Sequence, residues 1–356
     1  MVYSKKQKTG KECRPVYGNA KGHREGSGGQ HDDGLAHRQR HARRGVGGDC
    51  RRVLAVVKKR GYVPNASARA LVSRNSRLIA ACLLAVKGAN PLEDPYNAQF
   101  LGALVNETRA RGYDLMLRFV ESFDEATRGI RSWNADGAVF NGLPDRHIRA
   151  LEEQHPVPIV FTDCYTSARQ VNCVGIDDTK GGRLAAAYLL SHGHRRFAFC
   201  GFYQAEEGVM LHRLTSFRKT VCASGGTLPE DLIFSLPHRT MQAALKDCAE
   251  RLSAACARGE VTAAFVAADI LAVDLIEALA ARGVRVPEDL SIVGFDNVPI
   301  SAHIAPPLTT IAQDVPRKAK CAAEILFRHI EDPKAPAESI TLDLTLVERG
   351  SVRTLS

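Results

Sequence analysis

The sequence has no apolar run long enough to cross a membrane and no segment typical of a secretion signal. Its longest apolar run, Leu78 to Val86, is far shorter than the roughly 20 residues that a membrane-spanning helix needs. The N-terminus is basic but lacks the apolar stretch of a signal peptide. We therefore expect a cytoplasmic protein without membrane association.

Ten cysteines are scattered along the chain, and no two of them form a C-x-x-C pair. Most of them, such as Cys82 and Cys200, stand in apolar stretches, which favours buried thiols over metal ligands or disulfides. The N-terminal histidines lack cysteines at the spacing of a metal site. The sequence therefore predicts no bound metal.

Sequence motifs that indicate catalysis are missing. The chain has no G-x-S-x-G, no Walker A sequence, no G-x-G-x-x-G after a predicted strand and no H-E-x-x-H. No nucleophile stands beside a base in a recognisable arrangement. We therefore expect neither enzymatic activity nor a cofactor.

Positive charge is present, but it is concentrated at one end. Residues 1–52 hold 13 Lys and Arg against 5 Asp and Glu, whereas the rest of the chain holds 35 against 34. A basic segment on a neutral body is typical of a nucleic-acid binder, and a solvated tail explains the charge equally well. Residues 1–50 also contain 10 of the 29 glycines and few apolar side chains, which predicts a disordered basic segment.

The stretch Lys58–Leu71 (KKRGYVPNASARAL) separates this segment from the remainder. Gly61 can end a helix that begins near Arg51, and Pro64 prevents its simple continuation. Asn65 is a good N-cap for a second short helix. A short basic helix at a domain junction predicts a hinge.

From Leu78 onward, short apolar runs alternate with amphipathic stretches. Predicted strands cover Leu78–Val86, Tyr113–Phe119, Gly137–Phe140, Pro158–Phe161, Asn172–Ile176, Phe197–Cys200, Thr262–Val266 and Leu290–Phe295. Predicted helices cover Asn97–Arg111, Gly181–His192, Leu211–Ala223, Met241–Ala257 and Ile270–Ala281. This alternation predicts an α/β fold of parallel sheets with flanking helices, and its length favours two lobes with a ligand crevice between them.

Three segments resemble the lactose-repressor/galactose-repressor (LacI/GalR) family of transcription factors. They are RGYVPNASARAL at 60–71, VGIDDTKGGRLAAAYLLSHGHRRFAF at 174–199 and RVPEDLSIVGFDNVPISAHIAPPLTTI at 285–311, within a match that runs from about Arg51 to Arg349. The resemblance implies a helix-turn-helix headpiece, a hinge helix and a two-lobed effector core of the periplasmic-binding-protein type. It also implies a homodimer on a double-stranded DNA operator.

With the resemblance, the chain divides into three parts. Residues 1–50 are the disordered basic segment, and 51–75 hold a remnant headpiece helix followed by the hinge helix. Residues 76–350 form the effector core, with the first lobe at about 76–166 plus 298–330. The second lobe takes 167–297 and the C-terminal strand.

The resemblance implies roles for two groups of residues. The predicted DNA-binding residues of the hinge are Asn65, Ala68, Arg69, Leu71 and Arg74. The predicted effector-binding residues are Tyr96, Asn97, Asp178, Arg213, Asp269 and Asp296. Alternatives remain for three of them: Asn97 can be a helix N-cap, Arg213 a surface arginine and Asp296 an Asx-turn residue. The set suits a sugar, a sugar derivative or a purine.

The helix-turn-helix expected of the family is missing from residues 1–50. Permissible codons for residues 22–46, read one nucleotide later, encode ATVKVAGVSTTTVSHIVNGTRVVAS, which carries the family's Val-Ser-x-x-Thr-Val-Ser and Asn-Gly. We hypothesise that this segment is the headpiece read out of frame, through a frameshift or a sequencing error. The leading interpretation is thus an effector-controlled transcriptional repressor, and the alternative is a small-molecule binding module that lacks specific DNA recognition.

Overall fold

The computed structural model describes Lys59 and residues 75–85, 90–122, 125–126, 128, 132, 134–142, 148, 157–164, 171–202, 208–236 and 241–355. The described residues from 75 onward belong to one compact unit. The predicted DNA-binding residues (Asn65, Ala68, Arg69, Leu71 and Arg74) and the predicted basic segment lie outside the described residues. Among the residues that are described, no helix is long and apolar enough to span a bilayer.

The first lobe is built on a parallel sheet. Its strands are β1 (Leu78–Leu84), β2 (Asp114–Val120), β3 (Gly137–Asn141), β4 (Ile159–Thr162), β5 (Cys173–Ile176) and β11 (Ser339–Leu342). They lie in the order β11-β5-β4-β3-β1-β2, and every neighbouring pair is parallel. Helices α1 (Pro95–Ala110) and α6 (Val315–Glu331) pack against one face of this sheet.

The second lobe is also built on a six-stranded sheet. Its strands are β6 (Phe197–Gly201), β7 (Ile233–Ser235), β8 (Ala263–Val266), β9 (Ser291–Asp296), β10 (Thr309–Gln313) and β12 (Leu344–Val347), in the order β12-β10-β9-β8-β6-β7. Only the β10–β12 pair is antiparallel. Its helices are α2 (Asp178–Ser191), α3 (Val209–Ala223), α4 (Met241–Ala257) and α5 (Asp269–Ala280).

The central strands of both sheets are buried along their whole length. Every residue of β3, β4, β6, β8 and β9 is buried, because helices or other chain segments cover both faces of each sheet. Separate apolar clusters lie on the two faces of each sheet. The α/β fold of parallel sheets with flanking helices therefore agrees with the prediction.

The predicted lobe boundaries need correction. Strand β5 pairs with β4 and β11 in the first sheet, so the chain enters the second lobe after Ile176 and not near residue 167. Strand β10 pairs with β9 and β12, so residues 309–313 belong to the second lobe. The chain crosses between the lobes three times, at β5–α2, β10–α6 and β11–β12. Pairing between strands, which the sequence does not display, decides these memberships.

Helices α2 and α3 approach each other unusually closely. A Cβ atom on Gly182 would lie 2.1 Å from Oγ of Ser216 and 2.3 Å from the carbonyl oxygen of Arg213. Glycine is therefore required there for the two helices to pack. This contact fixes the position of the helical turn that carries Arg213.

The C-terminal segment is attached to the second lobe by a buried histidine. His194 is fully buried, and its ring nitrogens contact Oγ1 of Thr262 at 3.0 Å and the carbonyl oxygen of Arg353 at 3.1 Å. Burial lowers the pKa of His194 to about 4. His194 therefore has a structural role.

Candidate functional site

Two aspartates lie at the carboxyl ends of central strands, one in each lobe. Asp163 follows β4 directly, and Asp296 is the last residue of β9. Both have a positive φ, 57° for Asp163 and 111° for Asp296, a conformation that costs a non-glycine residue energy. Because ligands of parallel α/β sheets bind beyond the carboxyl ends of the strands, these two side chains mark the candidate site.

Arg213 is buried in the second lobe. Only 5% of the residue is exposed, its Nε donates to Oδ1 of Asp178 at 2.5 Å, and its Nη1 donates to the carbonyl oxygen of Ala267 at 2.6 Å. Its Cζ lies 3.5 Å from the centre of the Phe295 ring. The guanidinium therefore lies on the face of the Phe295 ring, held there by a carboxylate and a carbonyl oxygen. Arg213 is not a surface arginine, so that alternative interpretation is wrong.

Asp178 holds this guanidinium from the first turn of α2. It is fully buried, and the neighbouring Asp177 caps the helix by accepting from the amide of Lys180 at 2.8 Å. Asp177 thus caps the helix, and the carboxylate of Asp178 binds Arg213. The structure therefore places Asp178 behind the arginine, as its support.

Asp296 is directed to the junction between the lobes. Its Oδ1 accepts from Nε2 of Gln313 at 2.6 Å and lies 4.0 Å from Nη1 of Arg213. Burial raises the pKa of Asp296 well above its ordinary value, and the charge of Arg213 opposes this rise. In the Asx-turn interpretation, the carboxylate of Asp296 would bind only the turn that follows it. The contacts with Gln313 and Arg213 contradict that interpretation.

Lys318 joins the residues of the two lobes. This fully buried lysine of α6 donates from Nζ to Oδ1 of Asp163 at 2.5 Å, to Oε1 of Gln313 at 2.7 Å and to the hydroxyl of Tyr96 at 3.1 Å. The hydroxyl of Tyr96 in turn donates to Oδ2 of Asp163 at 2.7 Å. All three donors of the ammonium group are therefore used.

A continuous chain of polar contacts results. It runs through Tyr96, Asp163, Lys318, Gln313, Asp296, Arg213 and Asp178. Burial and the Asp163 carboxylate raise the pKa of the Tyr96 phenol well above its ordinary value, so the tyrosine keeps its proton at neutral pH. Four of the six residues predicted for the effector site belong to this polar chain.

Asn97 lies beside the polar chain and is not the N-cap of α1. Asp94 caps that helix by accepting from the amide of Tyr96 at 2.9 Å. The side chain of Asn97 instead donates to the carbonyl oxygen of Pro91 at 3.0 Å and accepts from Nδ2 of Asn141 at 3.0 Å. Asn97 thus fixes the start of α1 against the carboxyl end of β3.

Asp269 is fully buried behind the site. Its Oδ1 accepts from Oγ1 of Thr310 at 2.6 Å, and its Oδ2 accepts from the amide of Val298 at 3.1 Å. Burial raises the pKa of Asp269 to about 7. Gly294 leaves room for this carboxylate, because a Cβ there would lie 2.3 Å from Oδ1. Asp269 therefore holds the turn that follows β9, on which the carboxylate of Asp296 depends.

Sequence reasoning missed three members of the polar chain: Asp163, Gln313 and Lys318. Asp163 stands two residues past the end of a predicted strand, as Asp178 does, and the same rule would have identified it. Lys318 stands three residues after the buried Val315, on the face of α6 that packs inward. A lysine on a buried helical face was the available signal.

The arrangement suits ligand binding. It offers carboxylates, an ammonium, a guanidinium on an aromatic ring and a phenol, which pair with hydroxyl and ring-nitrogen groups. In the described part of the chain, no three His, Cys, Asp or Glu side chains are grouped to hold a metal ion. The polar groups and the aromatic ring present suit recognition through hydrogen bonds and stacking.

Sequence comparison identifies relatives of known function. The periplasmic binding protein-like domain family matches residues 186–352. The HTH-type transcriptional repressor PurR of Erwinia tasmaniensis is 30% identical over 313 residues, which cover 84% of this chain and 87% of the relative.

Structural comparison agrees with this result. The complex of the transcriptional regulator CelR with cellobiose superimposes with a TM-score of 0.67 at 25% identity, over 84% of this chain and 89% of that one. The lac repressor dimer bound to operator and the anti-inducer ONPF gives a TM-score of 0.68 at 23% identity, over 82% and 99% of the two chains.

Proposed function

Because this chain belongs to the LacI/GalR family of transcriptional regulators, we propose that it is a DNA-binding repressor controlled by a small effector. The effector binds between the lobes and changes the affinity of the hinge and headpiece for an operator. Such control requires only that the effector prefer one arrangement of the lobes over another. The relatives described above are transcriptional regulators and not enzymes.

The observation that carries this proposal is the polar chain across the lobe junction. Gln313 ends a strand of the second lobe, and Lys318 lies in the first turn of the helix that returns to the first lobe. A ligand that competes for Lys318, Asp296 or Arg213 therefore acts where the lobes are connected. When the ligand takes the place of one of these hydrogen bonds, it binds the two lobe arrangements with different affinities. Their relative free energy then changes.

The proposed effector is a sugar, a sugar derivative or a purine. Vicinal hydroxyls or ring N–H groups can donate to Asp296, the Tyr96 ring can cover a planar or sugar face, and Arg213 can donate to an acceptor. Asp178, Asp269 and Asn97 hold these groups in place. The cellobiose complex of CelR gives precedent for a sugar ligand.

On the DNA side we propose that a homodimer binds a double-stranded operator through the hinge. Leu71 would enter the minor groove as an apolar wedge, and Arg69 and Arg74 would contact phosphates. Asn65 would cap the hinge helix and Ala68 would allow close approach to the groove. The lac repressor dimer on its operator supports this arrangement.

A second function remains in competition because residues 1–50 carry no helix-turn-helix as written. Such a polypeptide would bind the effector in the same cleft but would lack readout of the major groove. Its basic segment would contact DNA through phosphates alone, with strong salt dependence. The two functions share the cleft and differ only before residue 75.

Thermal unfolding against a ligand panel tests the effector site. The panel contains pentoses, hexoses, cellobiose, sugar acids, guanine and hypoxanthine. A specific ligand at about 100 times its Kd stabilises the folded state by about 2.7 kcal/mol and raises the Tm by about 5 °C. We expect at least one compound to produce this shift.

Two variants complete the test. Asp296→Asn should lose the ligand-dependent shift, because the amide presents only one acceptor oxygen. Arg218→Gln is the matched control, since Arg218 lies on the same helix as Arg213 but pairs with Glu230 at the surface. An equal shift in wild type and Asp296→Asn, or no shift with any compound, contradicts the proposed site.

A further inference from the structure

Two cysteines lie in contact beside the polar chain. Cys164 follows β4, Cys173 opens β5, and their Sγ atoms are 2.8 Å apart. The thiol of Cys164 donates to the sulfur of Cys173. A disulfide needs the two sulfurs at about 2.05 Å, so a small displacement joins them.

This thiol pair is suited to oxidation. Cys164 is half-buried and open to a small reagent, whereas Cys173 is 5% exposed. The hydrogen bond from Cys164 lowers the pKa of the Cys173 thiol, although burial opposes this effect. A thiolate stabilised by a neighbouring thiol is the nucleophile of disulfide chemistry.

A second thiol pair in the chain provides an internal contrast. The sulfurs of Cys200 and Cys248 lie 3.5 Å apart, and both residues are fully buried in the second lobe. The hydrogen bond with Cys248 and burial raise the pKa of Cys200 well above its ordinary value. The sulfur atoms are close together in both pairs. Only the Cys164–Cys173 pair is accessible to a reagent and has a thiol whose pKa is lowered, so only this pair is suited to oxidation.

The position of Cys164 connects this pair to the candidate site. The preceding residue is Asp163, whose carboxylate binds both Tyr96 and Lys318. The amide of Asp163 donates to the carbonyl oxygen of Val174, the residue after Cys173, at 3.2 Å. Movement of Cys164 toward β5 is therefore transmitted directly to Asp163.

We propose that Cys164 and Cys173 form a redox-active dithiol, which a peroxide converts to an intramolecular disulfide that withdraws Asp163 from Tyr96 and Lys318. One thiolate attacks the peroxide, its sulfur becomes a sulfenic acid, and a water or alcohol leaves. The second thiol attacks the sulfenic sulfur, the S–S bond forms and water leaves. Two thiols and one hydrogen peroxide thus give one disulfide and two waters, and a dithiol reductant reverses the reaction.

Peptide mapping of the full chain tests the bond. Trypsin cleaves after Arg149, Arg169 and Lys180, so the two cysteines fall in the separate peptides 150–169 and 170–180. After brief treatment with hydrogen peroxide and alkylation of remaining thiols, we expect a linked pair of these peptides, two hydrogens lighter than their sum. The linked fraction should exceed that of Cys200–Cys248 about tenfold, and dithiothreitol should abolish it.

Hydrogen exchange tests the consequence for the site. Oxidation should speed amide exchange about twofold or more in the segments that contain Tyr96 and Lys318. Cys164→Ser is the control: it preserves size and polarity, cannot form the bond, and should show the same exchange with and without peroxide. The variant Cys222→Ser, which removes an exposed thiol elsewhere, should behave as wild type.

Three outcomes would overturn the proposal. They are full alkylation of Cys164 and Cys173 after peroxide treatment, a linked fraction no greater than that of the buried pair, and unchanged exchange around Tyr96 in the oxidised protein. A change of effector affinity on oxidation would depend on the proposed effector-binding function. The peptide map and the exchange measurement do not depend on that function. Failure of the dithiol proposal is therefore distinguishable from failure of the proposed function.

Discussion

At the scale of single residues, the ammonium group of Lys318 has the largest energetic effect expected in the site. A buried charge is costly unless a counter-charge and further hydrogen bonds compensate it, and Asp163, Tyr96 and Gln313 provide these. Removal of either member of the ion pair alone leaves the other charge poorly compensated. Removal of both leaves only polar groups that can bond each other.

A double-mutant cycle measures this coupling. Lys318→Met and Asp163→Asn should each lower the free energy of unfolding, and the double variant should lose less than the sum, with a coupling of about 2 kcal/mol. Urea unfolding of the four proteins gives the value. The exposed pair Lys180–Asp343, at 3.1 Å, is the control, for which we expect less than about 1 kcal/mol. Additive effects at Lys318 and Asp163 would contradict the buried ion pair.

The sequence revealed site residues where chemistry and position coincided. Asp296 and Asp178 could be predicted because each stands near the end of an apolar run, and Arg213 because its segment resembles the family. Lys318 was missed although it lies on the buried face of α6, which is strongly amphipathic. A lysine is ordinarily exposed, and the sequence does not show the buried partners that compensate its charge.

At the scale of secondary-structure elements, Asp269 joins three segments of the second lobe. From the first turn of α5 it bonds Thr310 on β10 and the amide of Val298 after β9. A helix N-terminus favours a carboxylate anion, but burial has the larger effect here, since the pKa of Asp269 rises to about 7. The folded protein therefore retains a proton that the unfolded chain releases near pH 4.

This retained proton makes stability depend on pH. As pH rises from 4 to 7 the unfolded chain loses the Asp269 proton before the folded protein does, so the free energy of unfolding falls and then levels above pH 7. Asp269→Asn removes the titration and keeps an acceptor for Val298. Between pH 5 and 8, the free energy of unfolding of the variant relative to wild type should rise by about 2 kcal/mol. Urea unfolding at each pH checks this, and a constant difference would contradict it.

The elements themselves were predictable in proportion to their burial. Strands β3, β4 and β8 lie within a residue or two of the predicted runs, because both faces are covered and every residue before the last one of each strand is apolar. Strand β11 alternates between exposed and half-buried residues over four positions, and strand β12 has one buried residue, Leu344, among four; both patterns are too short to identify. Strand β10 contains three polar residues among five, since it supplies Thr310 and Gln313 to the polar contacts.

At the scale of the whole molecule, the proposed operator recognition depends on the hypothesis that residues 22–46 are a helix-turn-helix read out of frame. A protein restored to the frame that encodes a helix-turn-helix should bind a fragment of its own promoter about a thousandfold more tightly than unrelated DNA. The polypeptide as written should bind both fragments equally and weakly, with steep salt dependence. Electrophoretic mobility shifts distinguish the two, and equal binding by the restored protein would contradict the repressor function.

Leu71→Ala in the restored protein separates the hinge from the cleft. Loss of the apolar wedge should weaken operator binding about tenfold or more, while ligand-dependent thermal shifts stay unchanged. Val72→Ala removes a similar volume one residue further on and should have little effect. Operator affinity that does not change on Leu71→Ala would exclude the wedge.

The three crossovers between the lobes also govern how the chain folds during its synthesis. The first sheet receives its edge strand β11 and its covering helix α6 only from residues 315–342, and the second receives β12 shortly afterwards. Neither lobe can therefore close its core until almost the entire polypeptide has left the ribosome. Apolar faces of β1 to β5 remain open during elongation, which makes the nascent chain a substrate for chaperones. A premature stop codon late in the gene would consequently leave both halves incomplete.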